Sequence, residues 1–190
     1  MFLHVPDRST PFEDTAAAMN DAVRQGKFKK FGVSNYNAAE VKQFIEICEQ
    51  EGYAKPSVYQ GHYNAVVRGA AGGLFSGYVD TSTRWRDDND IGELYKTLCC
   101  QPAVQAAVAT VRGAVTKYRI SGHAAALRWT AFHSVLDGKY DDAVVFGVSK
   151  IEQLHSTLDA LEAGPLPDEV AEAITAIYAT VEGAEPPYHL

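Results

Sequence analysis

Apolar residues recur at helical spacing in several stretches of the chain. Val41, Phe44, Ile45 and Cys48 fall at i, i+3, i+4 and i+7, the signature of a helix with one buried face. Val104, Val108, Val111, Val115 and Tyr118 form a second such stripe. Ile151, Leu154, Leu158 and Leu161 form a third, and Val170, Ile174, Ile177 and Val181 a fourth. Two further helices are marked by their punctuation. In "STPFEDTAAAMNDAVRQGK", Thr10 is placed to cap, Pro11 stands at the first helical position, Glu13 completes a capping box and Gly26 ends the helix. Ser121 is placed to cap a helix through "HAAALRWTAFHSVL".

Between the helices lie short runs of another kind. "MFLHVP", "FKKFGVSN" and "PSVYQGHYN" read as strands rich in β-branched and aromatic residues. "DAVVFGVS" reads as a strand buried on both faces, as in a parallel sheet. The stretch "VVRGAAGGLFSGYVDTSTRWRDDND" is glycine-rich and then polar, and reads as a long surface loop. Strands alternating with helices predict an α/β fold with a parallel sheet and crossover helices, with residues 1–190 as a single domain. The chain also echoes itself. "FGVSNYNAAEVKQFI" and "FGVSKIEQLHSTL" both run from Gly-Val-Ser into an amphipathic helix, an arrangement that suits phosphate at a helix N-terminus.

Composition narrows the picture. Of 190 residues 46% are apolar and 11% aromatic, enough for a sizeable core and unlike a disordered chain. A net charge of −7 argues against nucleic acid as a partner. The basic cluster Arg24, Lys27, Lys29 and Lys30 reads as a solvated helix C-terminus. Cys48, Cys99 and Cys100 form no C-x-x-C pair, which removes zinc and thioredoxin-like readings and fits a reducing compartment. "MFLHVPDR" lacks the features of a signal peptide, and no apolar run is long enough to cross a membrane. The expectation is a soluble, cytoplasmic protein.

In parallel α/β folds the chemistry sits at the C-terminal ends of the strands. That rule selects His4, then Ser34 and Asn35, then Gln60 with Asn64, then Gly147 and Ser149. One imidazole among neutral hydrogen-bonding groups suits an uncharged polar ring such as a nicotinamide amide, together with a phosphate. It does not suit a metal, because no second ligand accompanies His4 at a ligand spacing. No G-x-S-x-G elbow, P-loop or G-x-G-x-x-G occurs. His62, His123, His133, His155 and His189 are read as satisfied structural residues, and Tyr59 and Tyr63 as core or rim packing.

"LHVPDRSTPFEDTAAAMNDAVRQGKFKKFGVSNYNAAEV" resembles the aldo-keto reductases, in particular the aflatoxin-aldehyde-reductase branch and its fungal relatives. "SVYQGHYNAVVR", "AGGLFSG", "AALRW" and "FGVSKIEQL" continue the likeness in the same order. The resemblance implies a (β/α)₈ TIM barrel that reduces aldehydes and ketones with NADPH. It makes His4 the active-site histidine that orients the carbonyl, and Ser34, Asn35 and Gln60 the residues that hold the nicotinamide. Gly72, Gly73, Leu74 and Gly77 match the loop over the pyrophosphate. Ser149, Lys150 and Gln153 match the site of the adenosine 2′-phosphate, where the Lys150 cation favours NADP over NAD. Thr157 stands where the branch has an Asn that contacts adenine.

The resemblance also has gaps. The family's Asp, Tyr and Lys lie upstream of the histidine, on strands preceding the point where this sequence begins. A helix and strand expected between "YNAVVR" and "AGGL" are missing. The expected fold is therefore a partial barrel of about four strands with surrounding helices. Its open sheet edges would favour self-association. Three functions follow: NADPH-dependent reduction of a small carbonyl substrate in fungal secondary metabolism, a degenerate member that binds or does non-redox acid–base work through His4, such as a cyclase or isomerase, or a piece of a longer reductase.

Overall fold

The computed structural model describes residues 1–61, residue 97 and residues 100–183. They belong to two compact units, Met1–Gly61 and a second lying within His62–Pro186.

The first unit is built as the hydrophobic pattern predicts. Strand β1 (Phe2–Leu3), helix α1 (Phe12–Arg24), strand β2 (Gly32–Ser34), helix α2 (Ala38–Glu51) and strand β3 (Val58–Gln60) follow in order. The strands form a parallel sheet in the order β1-β2-β3. Phe2 pairs with Gly32 and Leu3 with Val33, while Gly32, Val33 and Ser34 pair with Val58, Tyr59 and Gln60. The core gathers Ala16, Phe31, Val33, Tyr36, Phe44, Ile47 and Cys48. Phe44 is its hub, with ring centroids 5.9 Å from Phe12, 6.3 Å from Phe31 and 6.1 Å from Tyr36. These are the tilted and edge-on geometries that the ring quadrupoles favour. Gly32 is required by close approach: a Cβ there would stand 2.5 Å from a Phe2 ring carbon and 2.6 Å from the Val58 carbonyl oxygen.

Helix ends show where local signals hold. Asn37 caps α2 in a full capping box with Glu40, although the sequence reading did not single it out. At α1 the expected cap fails. Thr10 turns its hydroxyl to the Asp7 carboxylate at 2.7 Å, and Pro11 precedes the helix without any side-chain cap. Asp7 also accepts from the Ser9 amide and hydroxyl, so it draws the "DRST" polar groups into a turn. Gly26 ends the helix as expected, at φ +70°.

The second unit is helical: α3 (Pro102–Thr116), α4 (Gly122–Phe132), a short 3₁₀ turn (Gly138–Tyr140), α5 (Ile151–Glu162), α6 (Asp168–Ala176) and α7 (Tyr178–Val181). Ser121 caps α4 by accepting from the Ala124 amide. The core joins Val104, Val108, Val111 and Val115 to Trp129, Val170, Ile174, Ile177 and Val181. The last stripe is thus buried as its spacing predicts, though its helix breaks in two at Ile177. Arg128 closes the α5–α6 turn. Its guanidinium donates to the carbonyls of Gly164 and Pro165 at 2.6 Å each and of Ala163 at 3.4 Å.

Two expectations are corrected here. The α5 stripe does not form a buried face: Ile151 and Leu158 are exposed, and the buried residue of this helix is Thr157. "DAVVFGVS" is not a strand. Residues 143–148 lie in irregular chain, with Val145 79% exposed. A parallel strand buried on both faces needs a ladder on each side. Among the described residues none engages this backbone, so the described strands number three rather than four.

Candidate functional site

Three strand ends meet on one rim of the first unit. His4 follows directly on β1, Ser34 ends β2 and Gln60 ends β3. Ser34 and Gln60 are register partners. The Asn35 side-chain amide donates to the His4 carbonyl at 2.9 Å, joining the ends of β1 and β2. The same nitrogen lies 3.4 Å from the Ser34 hydroxyl. Asn35 adopts φ +62°, a left-handed conformation that Asn tolerates better than most residues, and so turns the chain from β2 toward the α2 cap. Ser34 and Asn35 are buried, whereas the His4 and Gln60 side chains lie exposed at the rim.

The polar inventory of this rim is specific. The Asn35 amide nitrogen is occupied, and its Oδ1 accepts no hydrogen bond among the described residues. A buried carboxamide oxygen without a donor suits an incoming N–H. With the Ser34 hydroxyl and the Gln60 carboxamide it forms a neutral donor and acceptor set, which fits a nicotinamide carboxamide and not a cation. The nearby phenols are engaged otherwise. Tyr59 donates its hydroxyl to the Tyr36 carbonyl at 2.8 Å. Burial pushes the Tyr36 phenol up, helped by the charge of Glu40 and opposed by Arg8. The Asp7 carboxyl beyond β1 is held down at about 2, mainly by the Ser9 and Thr10 hydroxyls.

A second polar cluster marks the start of α5. The Ser149 amide and hydroxyl donate to Gln153 Oε1 at 2.9 Å and 3.1 Å, and Lys150 occupies the N-cap position without a side-chain cap. All three residues are exposed. A lysine beside a helix N-terminus and a serine hydroxyl fit a phosphate monoester. Thr157 is different. It is 1% exposed, and its hydroxyl lies 3.2 Å from His123 Nε2.

Gly72, Gly73, Leu74 and Gly77 fall outside the described residues, as do His62, Tyr63, Asn64 and His189. Sequence reasoning missed the partners that set the local geometry. His123 lies within hydrogen-bond distance of Thr157, and His133 accepts the Leu166 amide at 2.8 Å through Nε2, partners in keeping with structural histidines but not named by the sequence. Their partners lie 34 and 33 residues away, beyond the reach of any local spacing rule. Among the described residues there is no cluster of three His, Cys, Asp or Glu able to hold a metal. Nor, among them, is any helix long and apolar enough to cross a membrane.

The sequence is similar to those of known proteins. The sequence model for the Aldo/keto reductase family matches residues 1–76 and 70–179. An aldo-keto reductase of Pseudocercospora fijiensis is 34% identical over 98% of this chain and 72% of its own length. Aflatoxin B1 aldehyde reductase member 2 of Mus musculus is 35% identical over 90% of this chain and 56% of its own. The aldo-keto reductase pigE of Monascus ruber is 30% identical over 98% of this chain and 64% of its own. The chain therefore spans between 56% and 72% of the length of these relatives.

Proposed function

Because the chain belongs to the aldo/keto reductase family, a family of oxidoreductases with a (β/α)₈ barrel, we propose that it takes part in the NADPH-dependent reduction of a small aldehyde or ketone. The observation that carries this reading is the rim that joins His4, Ser34, Asn35 and Gln60 through strand register and the Asn35 bond to the His4 carbonyl. Bound NADPH supplies the hydride. Asn35 Oδ1, the Ser34 hydroxyl and the Gln60 amide hold the carboxamide of the ring. His4, exposed at the same rim, orients the carbonyl oxygen and holds a proton for it. By their likeness to the family's motifs, Lys150, Ser149 and Gln153 would hold the 2′-phosphate, and Gly72, Gly73, Leu74 and Gly77 would contact the pyrophosphate. Thr157 forms part of the adenine end through its backbone and helix, since its hydroxyl is turned to His123. The proposal extends to a cytoplasmic role in fungal secondary metabolism, in keeping with the fungal reductases among its relatives.

A second reading, nucleotide binding without turnover, is favoured by one observation. Tyr59 is tied to the Tyr36 carbonyl and the Tyr36 phenol is buried, so neither phenol of the described rim is free to act as the acid. General acid catalysis contributes roughly 10²–10⁴ in rate, so the two readings separate cleanly. The test is an NADPH titration followed by nucleotide fluorescence, then an oxidation assay over a panel of aldehydes. Binding that weakens with Lys150→Ala, together with turnover that His4→Ala abolishes, is the result expected. Binding with no turnover selects the second reading. Affinity indifferent to both Lys150→Ala and Asn35→Ala overturns both.

A further inference from the structure

The segment that carries His4 is tied at two points to one short stretch of chain. At its head the Asn35 carboxamide donates to the His4 carbonyl at 2.9 Å. Four residues on, the Arg8 guanidinium grips Glu40, with Nε donating to Oε1 at 2.8 Å and Nη2 to Oε2 at 3.4 Å. Asn35 and Glu40 stand on either side of the α2 N-cap, where Glu40 Oε2 accepts the Asn37 amide and Asn37 Oδ1 accepts the Glu40 amide. Residues 4–8 and 35–40 therefore close a ring through two non-covalent ties. The 35–40 side of that ring is rigid. The Tyr59 hydroxyl holds the Tyr36 carbonyl, the Tyr36 ring packs on Phe12 and Phe44, and the capping box fixes the start of α2. On the other side Pro6 is buried and has a fixed φ, and Asp7 draws Ser9 and Thr10 into their turn.

We propose that Arg8 is a positioning residue for His4: its ion pair with Glu40 fixes the loop after β1 against the N-terminus of α2, and so holds the imidazole where a carbonyl substrate meets it. The inference rests on the reading of His4 as the group that orients the carbonyl. It supplies what that reading lacks, because the Asn35 bond fixes the His4 carbonyl oxygen alone. Without a second tie the chain beyond His4 pivots about that bond. Exposed ion pairs contribute little, but this one is a two-point fork on a carboxylate whose side chain is only 14% exposed. Both oxygens of Glu40 are engaged, so the carboxylate is a fixed post and not a swinging one. A lysine at position 8 offers a point charge that swivels about its partner, and the planar fork does not.

The test uses the full chain, isotope-labelled and without nucleotide, read by NMR. In Arg8→Gln the His4 ring resonances should shift and broaden. The Asn35 side-chain amide protons should exchange about threefold faster, the size of effect a partly buried pair supplies. The Ser9 amide, held by Asp7 inside the loop, should stay as in the wild type, and the urea midpoint should barely move. Arg8→Lys should fall between the two. Glu40→Gln keeps an acceptor for the Asn37 amide, should reproduce Arg8→Gln, and should add nothing when combined with it. His4 and Asn35 signals indifferent to Arg8→Gln, or additive effects of the two substitutions, overturn the proposal. So does a change shared by Ser9 and the urea midpoint, which marks a general loss of stability. With NADPH and an aldehyde, Arg8→Gln should lower kcat several-fold and leave nucleotide affinity within about twofold; the reverse pattern overturns the proposal. A chain that binds nucleotide without turnover removes the reading of the reaction, and the NMR comparison still decides the role of Arg8.

Discussion

The tetrapeptide Phe-Gly-Val-Ser occurs twice, at 31–34 and at 146–149, and the two copies have opposite fates. The first is the central strand of a parallel sheet, with Phe31 and Val33 each 2% exposed. The second has no ladder, with Phe146 36% and Val148 41% exposed. Local preference is identical, so the difference comes from neighbours. β2 has β1 on one side and β3 on the other. The glycines record the same contrast. Gly32 is pressed against Phe2 and the Val58 carbonyl, whereas a Cβ on Gly147 would meet nothing within 4 Å. Strand propensity is a fit to a half-built surface, and it has no effect where that surface is missing.

The sharpest way to break this comparison is truncation. Phe31→Ala should cost about 3–5 kcal/mol of stability, because it empties a core position among Phe28 and Phe44. Phe146→Ala should stay within about 0.5 kcal/mol for the monomer. Equal shifts in urea midpoint would refute the contrast. Next come the glycines: Gly32→Ala should cost about 1–3 kcal/mol through the forced shift of the Val58 backbone, and Gly147→Ala almost nothing. A third test separates backbone from side chain at the rim. Asn35→Ala loses the bond to His4 and strains the left-handed backbone, about 2 kcal/mol together, while Asn35→Gly relieves the strain and should cost roughly half as much. The midpoint ranking wild type, Gly, Ala checks it.

The smallest effect is electrostatic and belongs to the first unit alone. The folded-state pKa of Asp7 is lowered from 3.8 to about 2, so its contribution is fully present above about pH 4 and is lost as pH falls through about 2. The stability difference between wild type and Asp7→Asn should therefore narrow across that window. The carboxyl is exposed, so the change is slight and best read from the Ser9 and Thr10 resonances. A difference that stays constant down to pH 2 would show that the hydroxyls do not favour the charged form.

What could be read from the sequence follows the same line. The α3 stripe, the Ser121 cap and most of the α2 stripe were legible, since each rests on residues a few positions apart, although α2 buries Ile47 where the spacing named Ile45; the parallel sheet was legible from the alternation of strands and helices. So was the gathering of His4, Ser34, Asn35 and Gln60 on one rim, because strand ends in a parallel sheet share a side. Thr10 was misread because a nearer competitor, Asp7, takes its hydroxyl. The α5 face and residues 143–148 were misread for a deeper reason: an apolar pattern states what a segment can bury, not whether anything is there to bury it. The Thr157–His123 pair had no local signature at all.

The Arg128 clamp bears on where this polypeptide can be reopened. The turn at 163–165 has the look of a permissive joint, small and partly polar, with Gly164 at φ +72°. Yet a new pair of termini there, or a protease seeking to thread those residues through its cleft, must first release the guanidinium from carbonyls on three successive residues. At 143–148 no comparable tether exists among the described residues. Splicing, nicking and grafting should thus be tolerated at the segment that reads as a buried strand, and resisted at the one that reads as a loop.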